Sequence, residues 1–462
     1  MDINDIVKGG DERIKLKENG LNKYHGNPLL YESVFNRGSC TMSNLNVDSK
    51  KAVDSMLKKL KKEDYDKLLN QQQKQLKKLI DVNSLNDFDI FYAPSGSDLC
   101  YFPIMFSRII NPDKKIFSVV TCPEELGTGS NTAIKGEYFF GTNQFEEKVS
   151  KNDIIHKDII IEQQAFSARD DQGNILNHKS DILEIIDEKS STNQVIANLV
   201  IGSKSGIADN ISMIPRANEN CFWVIDVCQM RTTQKLINNL LRLNCMVMLT
   251  GSKFYQSPPF CGALLVPKSI SSKLVNIQDS AIEPFLKIFS TSDIPLNHPK
   301  LRSKFRHNEN YGTLLRWEAA ISEMKLLSFF GEDMVTMAVD RWNAFIISQL
   351  QIKSSYFELM PDQQFTNRSI VSFNVKHPDG SLLSDEELRV LYLDICAKER
   401  NDFFDFKKII IGQPVKYDNK SFIRLALGSY NVRMLIANDF DFQFDKKLIS
   451  IITKELKKLY WS

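Results

Sequence analysis

The chain has 462 residues, 25% of them charged, with a formal net charge of only +2. That length exceeds one ordinary core and suits a large domain carrying a smaller one. The near balance of charge excludes the global field of a protein that grips nucleic acid or an anionic membrane, leaving small molecules or proteins as partners.

The first residues, MDINDIVKGGDERIKLKENG, lack the basic and apolar regions of a secretory signal. No stretch approaches the roughly 20 apolar residues that span a bilayer, so a cytoplasmic protein is expected. Residues 1–85 read as an N-terminal helical segment, with leucine and isoleucine at mixed three and four spacing from Ser49 to Leu79. The lysine runs in KKLKKEDYDK and KQLKK read as solvated helix faces.

From Phe88 short apolar runs alternate with turn and helix-start signals, as expected of buried parallel strands with crossover helices. The runs DIFYA, KIFSVVT, DIIIEQQ, QVIANLVI, CFWVIDV, CMVMLT and GALLVP predict a mostly parallel seven-stranded sheet between Asp89 and Pro267, the last strand being a candidate to run antiparallel, at an edge or beside its neighbour. The fold class is therefore α/β, a three-layer large domain over residues 86–300 with a smaller α+β C-terminal domain. Residues 301–462 carry a connecting helical stretch, then strands at SIVSFNV, IIIGQPV and FIRLALG and two further helices. The eight cysteines are scattered without metal-ligand spacing; most read as buried, reduced thiols. No metal site is expected.

The most informative stretch is VIDVCQMR followed by MVMLTGSKFYQSPPFCGALLVP. A strand ending in Asp226 places a carboxylate at the C-terminal edge of a parallel sheet, where α/β folds bind ligands. It could keep a pyridine nitrogen protonated there. A second strand ends before Thr250, Gly251, Ser252 and Lys253, and the gap from Asp226 accommodates one crossover helix. Lys253 then reaches the same edge, placed to act as an imine-forming nucleophile, with the Thr250 and Ser252 hydroxyls beside it. Upstream, FYAPSGSDLCYFPIMF reads as strand, turn, helix, presenting the Gly96 and Ser97 amides and the Ser97 hydroxyl to an anion. The bland alternative is an α/β protein in which Asp226 caps a helix and Lys253 is solvated.

The pattern D-x-x-Q, then T-G-x-K, then PP-x-x-G-x-L-L resembles the cofactor core of fold-type-I pyridoxal-phosphate (PLP) enzymes. It is most similar to the aminotransferase class V family, which includes cysteine desulfurases, selenocysteine lyases, kynureninases and serine–glyoxylate aminotransferases. The resemblance spans roughly Asp89 to Gly428. It implies pyridoxal 5'-phosphate held as a Schiff base on Lys253, Asp226 on the pyridinium nitrogen and Gln229 on the phenolic oxygen. Gly96, Ser97, Thr250 and Ser252 would meet the phosphate; Ser252 stands where the family commonly has a histidine.

The resemblance also nominates Ser203, in VIGSKSGIADNISMI, near the cofactor oxygen. Glu125 falls where the family's ring-stacking residue lies, which implies either different cover for the ring or a substrate role. Thr313, in NENYGTLLRWEAAI, would reach the phosphate of a partner subunit, which implies a homodimer with active sites at the interface. Arg424, in SFIRLALGSYNV, would bind the substrate carboxylate bidentately. RGSCTMS, around residue 40, reads either as a cover for the substrate or as a capped turn.

Several chemistries share this apparatus. A desulfurase needs a mobile loop cysteine, whereas Cys396 lies on a predicted helix among apolar neighbours and reads as a buried thiol. An aminotransferase is therefore the favoured expectation. A PLP-dependent lyase is the alternative, and a non-catalytic protein that keeps the fold for binding is the reading from another class.

Overall fold

The structure is a computed structural model that describes all residues except 31–33, 39–41, 82, 171–172, 217–220, 361–366, 418–419 and 462. It opens with a 3-10 turn, Ile3–Val7, and strand β1, Val34–Arg37. Helices α1, Val47–Leu60, and α2, Tyr65–Ile80, then cover the stretch in which amphipathic helices are predicted. Asn46 and Ser49 cap each other's backbone amides, which fixes the start of α1. Val53, Met56, Leu57 and Leu60 share its buried face.

All seven predicted strands form one sheet: β2 (Phe88–Ala93), β3 (Lys115–Thr121), β4 (Ile161–Phe166), β5 (Asn193–Val200), β6 (Cys221–Asp226), β7 (Met246–Thr250) and β8 (Gly262–Pro267). Their spatial order is β2-β8-β7-β6-β5-β3-β4. The pairings from β7 through β4 are parallel, while β8 runs antiparallel to both neighbours, β7 and β2. The reversed strand thus lies inside the sheet, one place from its edge. The run DIIIEQQ departs from expectation in degree. Its strand starts at Ile161 and has no fully buried residue, because β4 is an edge strand with one neighbour.

Helices α3 (Tyr101–Ile110), α4 (Thr128–Ile134), α5 (Lys179–Lys189) and α6 (Gln234–Arg242) connect these strands. Period-two alternation sends successive strand residues to opposite faces. Ile90, Ala197, Leu199, Ile225 and Leu249 join one core cluster with residues of α2, α5 and α6. Phe91, Ile196, Val200, Val224 and Met248 join a second with α3 and α4. Both faces are covered, so the strands read as nearly unbroken apolar runs.

The chain continues through α7 (Tyr311–Ser328), α8 (Glu332–Ile352), β9 (Phe357–Leu359), β10 (Ile370–Val375), α9 (Asp385–Cys396), β11 (Lys408–Tyr417), β12 (Lys420–Ala426), α10 (Ser429–Ala437) and α11 (Gln443–Tyr460). The second sheet has the order β1-β11-β12-β10-β9. Strand β1 pairs parallel with β11, Val34 opposite Lys408, so a strand absent from the sequence reading joins the two ends of the chain. The buried Arg37 guanidinium holds Asp445 through two bonds of 2.7 and 2.8 Å beside this junction. No helix among the described residues is long and apolar enough to cross a membrane, and no cluster of potential metal ligands occurs among them.

Candidate active site

Strand β6 delivers Asp226 to the C-terminal edge of the sheet, where the Cys228 amide donates to its Oδ1 at 2.8 Å. Strand β7 ends at Thr250, whose hydroxyl donates to the Cys228 carbonyl at 2.8 Å. That bond ties the two strand ends together and uses the hydroxyl's only proton, leaving Thr250 Oγ1 able to accept but not donate. Gly251 is required by packing, since a Cβ there would stand 2.3 Å from Ala320 Cβ on α7. Beyond it the Lys253 turn is fastened by the Phe254 amide to the Gln229 carbonyl at 3.3 Å. Among the described residues no hydrogen bond or ion pair engages the Lys253 ammonium or the Ser252 hydroxyl.

The turn after β2 closes the other side. A Cβ on Gly96 would come within 2.9 Å of Thr250 Cγ2 and 3.1 Å of Cys228 Sγ, so glycine lets this turn lie against the β6 and β7 ends. Ser97 Oγ is 3.2 Å from Ser130 Oγ. Ser95 donates to the Asp98 carboxylate at 2.6 Å. Burial, with Asp11 nearby, pushes the Asp98 carboxyl up to about 7.

A cleft of about 620 Å³ opens between these strand ends and the second sheet. Gly96, Ser97, Glu125, Ser203, Asp226, Gln229, Thr250, Ser252, Lys253 and Arg424 all line it. Ten nominated residues spread over more than three hundred positions of sequence thus meet at one place. Thr313 is not brought there by its own chain. It lies buried in the first turn of α7, its amide capped by Asn310 at 2.9 Å and its hydroxyl contacted by Arg316 at 3.1 Å. Segment RGSCTMS lies partly outside the described residues; from its end, Ser43 donates to the Ser252 carbonyl at 2.7 Å.

Two nominated residues line the cleft with their polar groups already engaged. Glu125 lines the cleft, but its carboxylate is occupied by Arg169 at 3.2 Å, by the Ser205 amide at 2.9 Å and by the Ser203 and Ser205 hydroxyls. Its acceptor sites are used in bracing the wall. The Ser203 proton goes to Glu125, so this hydroxyl has none left to donate to a cofactor oxygen. Among the described residues no histidine lines the cleft; its aromatic surface comes from Tyr24, Phe139 and Phe260.

Sequence reasoning missed the contribution of the N-terminal segment. Glu12, Arg13, Lys23 and Tyr24 all line the cleft. Arg13 makes bonds of 2.7 and 2.6 Å to Asp11, reaches Ser95 at 3.2 Å and lies 4.7 and 4.6 Å from the Phe139 and Phe260 ring centroids. The Glu12 carboxylate accepts from the Gly141 and Thr142 amides. Nothing local marks Glu12 and Arg13 as cleft residues, because the contacts that place them there, to Gly141, Ser95, Phe139 and Phe260, lie more than eighty positions away. Lys204 was missed beside Ser203, where the motif directed attention to the serine.

No protein-family model and no curated sequence matches the chain. A mostly parallel seven-stranded sheet with a reversed strand, joined to a second sheet, is the fold of the fold-type-I PLP transferases. Solved structures of this shape include a phosphoserine aminotransferase from Cytophaga hutchinsonii, 14% identical over 85% of this chain and 94% of that one, with a TM-score of 0.52. A ureidoglycine–glyoxylate aminotransferase from Bacillus subtilis is 12% identical over 91% and 98%, TM-score 0.54. A NifS-like protein from Rickettsia africae is 11% identical over 90% and 97%, TM-score 0.54. At these identities the likeness is one of fold.

Proposed function

We propose that the chain is a PLP-dependent enzyme acting on an amino acid or related amine, and that it is an aminotransferase. The observation that carries this reading is the meeting of an uncommitted Lys253 ammonium, the Asp226 carboxylate and the open Gly96–Ser97 turn around one cleft at the sheet edge. The residues fit the group: an amine to hold its aldehyde, an acid for its ring nitrogen, and the Gly96–Ser97 turn with its hydroxyl for its phosphate. Support also comes from the solved neighbours, among them an Oryza sativa protein solved with PLP.

When bound, pyridoxal phosphate supplies an electron sink for charge that develops at the substrate's α-carbon. Lys253 Nζ would hold it covalently and, once displaced by the substrate amine, would move a proton at the α-carbon. Asp226 would keep a proton on the ring nitrogen, and Gln229 would donate its amide to the phenolic oxygen. Arg424 would orient the substrate carboxylate. Its Nη1 is already anchored to the Lys204 carbonyl at 2.6 Å, which limits the rotamer entropy lost on binding.

The buried place of Cys396 on α9, away from the cleft, supports transamination over sulfur transfer through that residue. The proposal includes a homodimer. The test is to incubate purified protein with pyridoxal phosphate, reduce it with borohydride and map the peptides. Added mass on the Lys253 peptide is expected. A protein that acquires neither visible absorbance nor added mass refutes the enzyme reading and leaves the binding-protein alternative.

A further inference from the structure

The turn between β5 and β6 carries a lysine that the PLP reading does not use. Lys204 is half-buried and lines the cleft. Its Nζ has a long contact, 3.4 Å, to the Glu124 carbonyl. No carboxylate pairs with it among the described residues, since Glu125 is engaged with Arg169 and two serines. Burial, reinforced by the charges of Arg424 and Lys253, pushes its ammonium down to about 8.

This turn is also among the most firmly braced parts of the wall. Gly202 and Gly206 take positive φ values of 82° and 98° on either side of Lys204. The Ser203 and Ser205 hydroxyls both bond Glu125, and Arg169 clamps Glu125 and Ser205 while reaching the Gly173 carbonyl at 2.8 Å. The Lys204 carbonyl itself receives Arg424. One rigid spur therefore aims two cations, one by its backbone and one by its side chain. Holding three like charges in one half-buried wall is unfavourable until an anion arrives. The rim adds Lys23, Lys151 and Lys416, none in an ion pair among the described residues.

We infer that Lys204 is a second anion-binding residue of the substrate pocket, and that the amino substrate carries an acidic group besides the carboxylate assigned to Arg424. The inference rests on the PLP reading for its amino group, and on the cleft alone for its two charges. With the α-carboxylate assigned to Arg424, Lys204 is left with no carboxylate partner among the described residues. The Gly96–Ser97 turn is the separate place for the cofactor phosphate, so that group does not account for Lys204.

The test uses amine-free acids, which occupy the pocket without reacting. Calorimetric titration of the protein as purified compares butyrate with succinate and 3-phosphonopropionate. At least one diacid should bind about tenfold or more tightly than butyrate, and which one does so tells a second carboxylate from a phosphoryl group. Lys204→Gln should abolish that preference, and Lys204→Arg should restore most of it. Lys204→Met, which keeps the stem without the charge, repeats the test if Lys204→Gln folds poorly. Equal affinities for all three acids, or a preference that survives in both uncharged variants, overturns the inference. A protein that takes up no pyridoxal phosphate yet keeps a Lys204-dependent diacid preference refutes the enzyme reading and leaves this one standing.

Discussion

The cleft has two walls built on opposite plans. The cofactor side is made of strand ends and the turns directly after them: Gly96 and Ser97 after β2, Asp226 at the end of β6, Thr250 to Lys253 after β7. Its parts all sit at one edge of a single sheet, β6 and β7 side by side and β2 one strand beyond β8, and short bonds such as Thr250 to the Cys228 carbonyl hold them. The opposite wall is assembled from the N-terminal segment, the Lys204 turn and the second sheet, through ties such as Arg424 to Lys204 that cross 220 positions. A fixed sheet edge suits a group common to many reactions, while a wall gathered from distant segments can vary with the substrate.

Substitutions should therefore divide into those that stop chemistry and those that change substrate binding. The largest effect is expected from Lys253→Ala, which should remove the borohydride-trapped adduct and cut turnover by about a thousandfold or more while leaving the melting temperature nearly unchanged. A mutant that keeps its turnover would erase the distinction between the walls. Next, Glu125→Gln should destabilise the fold by about 3 kcal/mol in denaturant titration, because it strips the buried Arg169 of its countercharge. An effect on stability well under 1 kcal/mol would show that the wall does not depend on this brace.

Arg424→Ala should raise KM for a carboxylate substrate by about ten- to a hundredfold, with much less change in cofactor retention. Gly412→Ala should do the same more weakly, about three- to tenfold, since a Cβ there would stand 2.3 Å from Arg424 Cγ and push the guanidinium aside. An unchanged KM in both variants would remove Arg424 from the site.

The smallest effect concerns the cofactor side. Burial raises the Asp98 carboxyl to about 7 in the fold, well above its ordinary value, so its contribution is fully present below about pH 4 and lost as pH rises through 7. Asp98→Asn should gain on the wild type by a few degrees in melting temperature at about pH 8 and much less at about pH 5. A gap that does not widen with pH would mean that the carboxyl titrates normally.

The legibility of the sequence follows the same division. The strands of the large sheet other than β4 were readable because both faces are buried and the runs are continuous, and the meeting of Asp226 and Lys253 at one sheet edge was readable because a single crossover joins their strands. Strand β1 was not readable. It has four residues, and its one ladder partner among the described residues lies at Lys408–Ile411, so no local period marks it. Glu125 was expected either to leave the ring covered differently or to meet the substrate, and it lines the cleft with its carboxylate on Arg169. Its true partner, Arg169, sits beyond β4 with no motif to announce it. Arg13 was missed for the same reason, its ring contacts at Phe139 and Phe260 lying far downstream.

The parallel seam between β1 and β11 also sets the timetable of synthesis. Strand β1 leaves the ribosome several hundred residues before the strand that completes its ladder, and Arg37 waits still longer for Asp445. Until then Phe35 lacks the Phe403, Phe406 and Phe444 rings that surround it in the finished protein. Until β11 emerges the nascent chain thus carries an unpaired strand edge and an uncovered aromatic, the conditions under which multidomain chains recruit chaperones or aggregate. The large sheet, complete once β8 emerges, can fold long before that seam closes.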